Sequence, residues 1–219
     1  MIELISIHLP KTGGTSFYHI LQQVYGEQLS ISYKRRDLRT TLEQYPSFAD
    51  SLPQHISVLH GHFYYKEIQH LAPEARLICW LRDPVQRVIS NYRFFKAGLD
   101  NPSRNPASYA LNKHRRGESL LDYARLAENQ NRMSSFLDGL DLAQCFFVGL
   151  LENFAADVDR LSKLLDWPEV VVPQLNQSKN MTSIDTSTLR QLAEWNAKDC
   201  ELYDYACSLL GINFGRTSL

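Results

Sequence analysis

MIELISIHLPKTGGTSFYHILQQVYG, residues 1–26, sets out a strand, a turn and a helix in that order. Residues 1–9 are a short apolar run rich in β-branched side chains, the pattern of a strand. Phe17, Ile20, Leu21 and Val24 then recur at helical spacing, and Gly26 is a stop signal. Between them lies Pro10-Lys11-Thr12-Gly13-Gly14-Thr15-Ser16. Glycines let a backbone approach a phosphate closely, and a helix start offers N–H groups and the positive end of its dipole. The hydroxyls of Thr12, Thr15 and Ser16 add donors, and Lys11 adds a point charge. The patterns G-x-x-x-x-G-K-[ST] and G-x-G-x-x-G are both absent, because here the lysine precedes the glycines. Taken alone, these residues also suit an ordinary strand-to-helix turn with Thr or Ser as cap.

Further strands and helices alternate outward from this unit. Residues 55–60 (HISVLH) read as a second strand that runs on into GHFYY. Residues 75–81 (ARLICWL) read as a third, apolar throughout, as suits a strand covered on both faces of a parallel sheet. Pro84 opens a helix to about Ala97, with Val85, Val88, Ile89 and Tyr92 on one face. Helical pattern returns at 119–137, a fourth strand at 145–150, and helices at 153–165 and 188–210. Residues 27–54, 98–117 and 168–188 read as irregular. The alternation predicts an α/β fold with a mainly parallel sheet.

The 219 residues suit one domain, 1–219, with enough apolar material for a core (44% hydrophobic). Lys plus Arg is 23 against 24 Asp plus Glu, so the net charge is −1 and a nucleic-acid partner is not expected. Cys79, Cys145, Cys200 and Cys207 form no C-x-x-C pair, which predicts buried thiols in a reducing compartment. No run of 18 apolar residues and no leader pattern is present, so the reading is a cytoplasmic protein without a membrane span.

A second element of interest is WLRDPVQRVIS, residues 80–90. Arg82 stands at a strand's carboxyl end, where ligands bind in open α/β sheets. A guanidinium there forks onto a phosphate, and Ser90, about two helical turns on, adds a hydroxyl to the same group. Arg82, Asp83 and Arg87 also suit a surface ion-pair group, and the partnership with the first turn favours the nucleotide reading. His60-Gly61-His62 lies between the two elements. Side chains at i and i+2 of an extended segment share a face roughly 7 Å apart, so both imidazoles are expected in one cleft.

PKTGGTSF and LRDPVQRVIS together resemble the sulfotransferases that use 3′-phosphoadenosine 5′-phosphosulfate (PAPS). The HGH triplet is similar to that of the carbohydrate branch containing heparan sulfate 2-O-sulfotransferase. CFFVGLLENF (145–154), QLNQSKN (174–180) and WNAKDCELYDYA (195–206) extend the resemblance over most of the chain. It implies a P-loop-like three-layer fold, a central mainly parallel sheet flanked by helices. It implies that Lys11, Thr12, Gly13, Gly14, Thr15 and Ser16 hold the 5′-phosphosulfate and that Arg82 and Ser90 hold the 3′-phosphate. Ser178 and Lys179 would reach the nucleotide from a closing loop. His62 would be the general base, His60 its assistant, and Lys11 the charge on the leaving phosphate. PAPS would be the co-substrate and adenosine 3′,5′-bisphosphate (PAP) the product. No carboxylate or cysteine cluster accompanies the histidines, so no metal is expected.

The acceptor would be a carbohydrate or another hydroxyl compound, and an anionic one would be drawn to basic clusters at Lys34–Arg39 and at Arg104, Lys113, Arg115 and Arg116. The sequence leaves the oligomeric state open. The other readings are a P-loop-type nucleotide kinase or NTPase, which lacks its lysine after the glycines, and a non-catalytic nucleotide-binding module.

Overall fold

Every residue of Leu4–Ile7 and Val58–Gly61 is buried, and so are five of the six in Arg76–Leu81. Strands this apolar need cover on both faces, which a parallel sheet wrapped by helices supplies. The computed structural model describes residues 2–32, 52–71, 74–173 and 184–214. Among them, in chain order, lie β1 (Leu4–Ile7), α1 (Gly14–Tyr25), β2 (Leu29–Ser32), β3 (Val58–Gly61), α2 (Tyr65–Ile68), β4 (Arg76–Leu81), α3 (Pro84–Asp100), α4 (Pro106–Asn112), α5 (Leu120–Ala124), α6 (Arg132–Phe136), β5 (Phe147–Leu150), α7 (Phe154–Leu164), α8 (Thr186–Trp195) and α9 (Ala197–Leu210).

The five strands form one sheet in the order β2-β3-β1-β4-β5, and every pairing is parallel. The expected α/β fold with its central parallel sheet is therefore present. Ile7 is level with Gly61 on one side and with Cys79 on the other. The chain passes from β1 outward to β2 and from β4 outward to β5 in opposite directions. The switch point, where open α/β sheets bind ligands, falls between β1 and β4.

The described residues divide into two compact units. The first, Met1–Arg82 with Met133–Asn176, holds the sheet. Its core joins Leu4, Val58, Ile78, Trp80 and Phe147 from the strands to Phe17, Ile20 and Leu21 of α1 and Phe154, Val158 and Leu161 of α7. Each such side chain, fully buried, contributes roughly 1.5–3 kcal/mol. The second unit, Asp83–Arg132 with Gln177–Leu219, packs Val85, Val88 and Ile89 of α3 against Ala124 of α5 and Leu192 of α8. Its α3 starts as expected at Pro84, behind an Asp83 carboxylate that accepts from the Gln86 N–H at 2.9 Å.

Four local expectations are corrected. Residues 27–54 read as irregular, yet Leu29–Ser32 is the edge strand β2, aligned with Val58–Gly61. Residues 98–117 read as a loop, yet Pro106–Asn112 is helical behind an Asn105 cap that accepts from the Ser108 N–H. The helix expected over 119–137 is two short helices, α5 and α6, with a 3₁₀ turn at Ala127–Asn129 between them. The single helix expected over 188–210 breaks at Asn196, whose side-chain amide donates to the Leu192 carbonyl at 2.8 Å. Asn is a poor helix interior residue because its side chain competes for backbone partners. Cys79, Cys145, Cys200 and Cys207 are all free thiols, with Cys79 buried and the other three partly so. Among the described residues, no helix is long and apolar enough to cross a membrane.

Candidate functional site

Side chains of a strand alternate between its faces, so Leu4, Ser6 and His8 share one face of the sheet with Val58, His60 and His62 and with Ile78, Trp80 and Arg82. The apolar members lie towards the strand starts and the polar ones towards the carboxyl ends. His8, His62 and Arg82 are each the first residue past their strand, on the three adjacent strands β1, β3 and β4.

The turn after β1 leads into α1 through Gly13, whose φ of 90° lies in the left-handed region. Among the described residues no side chain caps α1, and a helix start of this kind suits an anion. Lys11 is also left-handed at φ 71°, an uncommon conformation for a residue with a Cβ. Arg82 reaches back from β4 and donates from Nη1 to the Lys11 carbonyl at 3.2 Å. Lys11, Gly13, Ser16 and Arg82 are half-buried and Thr15 is exposed. Thr12 is fully buried, with its hydroxyl donating to the Leu9 carbonyl at 2.9 Å, so that side chain serves the turn. Gly14 has a second reason to be glycine, since a Cβ there would lie 1.9 Å from Cδ2 of His8.

The two expected histidines have different surroundings. His60 is fully buried, and its Nδ1 lies 2.9 Å from the Ser6 hydroxyl. Burial lowers its pKa to about 3, against a hydrogen bond with the Gly14 backbone that opposes the shift. His62 is half-buried, and its Nδ1 lies 2.7 Å from the backbone carbonyl of His8. A carbonyl only accepts, so Nδ1 carries the hydrogen and the lone pair of the neutral ring lies on Nε2. That tautomer takes up a proton at Nε2 while the carbonyl steadies the resulting cation.

His8 itself was not singled out from the sequence. Its ring stacks on His62 with centroids 4.4 Å apart and on His60 at 5.0 Å. Burial, then the nearby His60, His62 and Lys11, lowers its pKa to about 2. The signal was in the strand: Leu4-Ser6-His8 alternation puts two polar side chains on an otherwise apolar run just before the turn.

The remaining expected residues belong to the second unit or lie outside the described residues. Ser90 is half-buried on α3. Arg104 is exposed, its guanidinium 4.7 Å over the Phe94 ring. It stands on a cavity of about 270 Å³ that Asn91, Ser108, Tyr109 and Tyr123 also line. Lys113 is exposed, and neither it nor Arg104 has a carboxylate partner among the described residues. Arg115 is forked onto Glu118 at 2.6 and 2.9 Å and covers the Phe95 ring, which commits it to the fold. Arg116 pairs with Asp100 at 3.5 Å. Ser178, Lys179 and the cluster Lys34, Arg35, Arg36 and Arg39 lie outside the described residues.

The chain is similar to a sulfotransferase from Alicyclobacillus acidocaldarius, with 16% identity, 98% of this chain and 97% of that chain covered, and a TM-score of 0.52. It also aligns with mouse sulfotransferase SULT7A1 complexed with PAP, at 11% identity, 88% of this chain, 62% of that chain and a TM-score of 0.43. No curated protein matches the sequence. A model of the sulfotransferase family matches residues 2–206. By that match, which takes in the turn after β1, His60 in β3 and His62 just past it, the chain belongs to the sulfotransferase family.

Proposed function

We propose that this chain is a carbohydrate O-sulfotransferase that uses PAPS, with His62 as general base. The observation that carries the reading is the His62 tautomer, with Nδ1–H on the His8 carbonyl and the lone pair on Nε2. Such a ring is suited to remove the proton of an acceptor hydroxyl as that oxygen attacks sulfur. The co-substrate supplies a sulfuryl group on a phosphate leaving group. Lys11 and the uncapped N–H groups of α1 neutralise charge at the 5′-phosphate, an electrostatic role of the kind that governs phosphoryl transfer. Arg82 and Ser90 are the residues assigned to the 3′-phosphate, and Ser178 and Lys179 are assigned to the nucleotide by the family resemblance. His60, buried and kept uncharged with its pKa lowered to about 3, positions its neighbours and does not titrate in the working range. The reaction releases PAP and leaves its proton on His62.

The carbohydrate reading comes from the resemblance of the His60-Gly61-His62 triplet, and a cavity of the second unit supports it. Arg104 brings a cation to a cavity that Phe94, Phe95, Tyr109 and Tyr123 help to line, a combination that suits a sugar bearing an anionic group. Membership of the sulfotransferase family does not favour a kinase or NTPase.

The test is transfer of labelled sulfate from PAPS into a panel of neutral and anionic oligosaccharides. Wild type is expected to label an oligosaccharide, and His62→Ala to lose about 10²–10⁴-fold in kcat with PAP affinity kept. A fully active His62→Ala removes His62 as base, and labelling of phenols but of no sugar removes the carbohydrate acceptor. PAP is expected to raise the unfolding temperature without magnesium, and stabilisation by magnesium-ATP alone reverses the reading.

A further inference from the structure

Three imidazoles form one stack in the first unit. The His8 plane is tilted 26° from His62 and 17° from His60. The ring is 8% exposed, and Gly14 closes it from the start of α1: a Cβ on Gly14 would meet Cδ2, Nε2 and Cγ of His8 at 1.9, 2.0 and 2.4 Å. Stacked against two imidazoles and closed in by Gly14, the His8 ring is tightly held. His62 meets the edge of the Phe136 ring at 6.2 Å, and Phe136 in turn stacks on Tyr64 at 4.3 Å. The charged and titratable groups acting on His8 are His60 and His62 from the end of β3 and Lys11 from the turn. Each disfavours a second positive charge there.

A hydrogen bond from Nδ1 to a carbonyl fixes one point of an imidazole and leaves the ring able to swing about that point. A plane stacked on its face removes that swing. We propose that His8 is a positioning residue for sulfuryl transfer: its ring holds the His62 imidazole in the plane that keeps Nδ1–H on the His8 carbonyl and aims the Nε2 lone pair in one direction. The inference deepens the reading of His62 as base and rests on it. One residue then holds the base twice, by its backbone oxygen and by its ring.

The test compares His8→Ala and His8→Phe in the full chain. Kinetics are read as kcat and KM for PAPS, and the His62 tautomer by ¹⁵N imidazole NMR. His8→Ala is expected to lower kcat at least tenfold with KM for PAPS and PAP affinity within twofold, and to turn a single Nδ1–H tautomer into an average of two. His8→Phe restores a flat ring and is expected to recover kcat to within about threefold of wild type. A wild-type kcat and a single tautomer in His8→Ala overturn the proposal. So does a His8→Phe enzyme as slow as His8→Ala, because the nitrogen atoms and not the plane would then matter. If His8→Ala does not fold, His8→Phe decides alone: near-wild-type turnover with one tautomer supports the proposal, and a tenfold loss overturns it. If wild type transfers no sulfate, the sulfotransferase reading of the site fails, while the tautomer comparison still decides whether His8 orients His62.

Discussion

Arg82 donates from Nη1 to the backbone carbonyl of Lys11 across 3.2 Å, although the two residues are 71 positions apart in the chain. The bond joins the end of β4 to the turn after β1, on either side of the sheet's switch point. It also steadies a residue at φ 71°, a conformation that costs about 1–3 kcal/mol in a side chain with a Cβ. Arg82→Ala is expected to weaken PAP binding at least tenfold by titration calorimetry and to lower the unfolding temperature. Arg82→Lys is expected to recover little, because one ammonium does not reproduce a planar fork. Full recovery by lysine would show that charge alone matters there.

Gly14 and Gly98 make opposite demands. A Cβ at Gly14 runs into the His8 ring, whereas a Cβ at Gly98 of α3 meets nothing within 4 Å. Gly14→Ala is expected to destabilise by about 1–3 kcal/mol, as overpacking of a tight interior does. Gly98→Ala, on a helix with ordinary φ, is expected to stabilise by roughly 0.5–1 kcal/mol. Urea unfolding of the two variants checks both signs, and equal effects would refute the packing account of Gly14.

Arg87 and Asp199 form an ion pair at 3.7 Å with both side chains fully buried in the second unit. Arg87 also donates from Nη2 to the Asn129 carbonyl at 3.1 Å. Removing one partner leaves the other charge buried, which costs about 3–5 kcal/mol. Asp199→Ala is therefore expected to destabilise by that amount in equilibrium unfolding, far more than Asp159→Ala, whose pair with Lys163 is exposed. A loss below 1 kcal/mol in Asp199→Ala would contradict this.

Acid destabilisation should begin early. His60 and His8 are held to about 3 and about 2, mainly by burial, against an ordinary value of 6.5. Well above pH 6.5 neither ring is protonated in the folded or the unfolded chain. Below it the unfolded chain takes up protons that the folded chain refuses, so stability falls with pH until the folded values are reached. The slope is up to about 1.4 kcal/mol per pH unit for each ring. Urea midpoints between pH 6.5 and 5, where few carboxylates titrate, should decline in wild type and decline less in His8→Phe. A flat wild-type profile would mean that the rings are not held neutral.

Local pattern was enough for much of this molecule. The apolar run of β1, the helical spacing after it and Gly26 as the stop are read directly from residues 1–26, and the structure has Gly26 at φ 51° just past α1. The same holds for β4, for β5 and for Pro84 at the start of α3, because each is decided by periodicity or by one residue's backbone limits. The motif residues Lys11, His60, His62 and Arg82 were also visible, since phosphate and proton chemistry draws on few residue types.

Tertiary structure decided which of these residues meet. Leu29–Ser32 is a strand because Val58–Gly61 lies beside it, and nothing in its own polar surroundings says so. Arg115 reads as a ligand in a basic loop, yet Glu118 and the Phe95 ring engage it. His8 became part of the site because β1 lies next to β3, which brings residues 54 positions apart to a 2.7 Å hydrogen bond. Periodicity is a property of neighbours along the chain. Strand order is set by crossovers that span tens of residues, and only that order decides which side chains share a face at the carboxyl ends of the sheet.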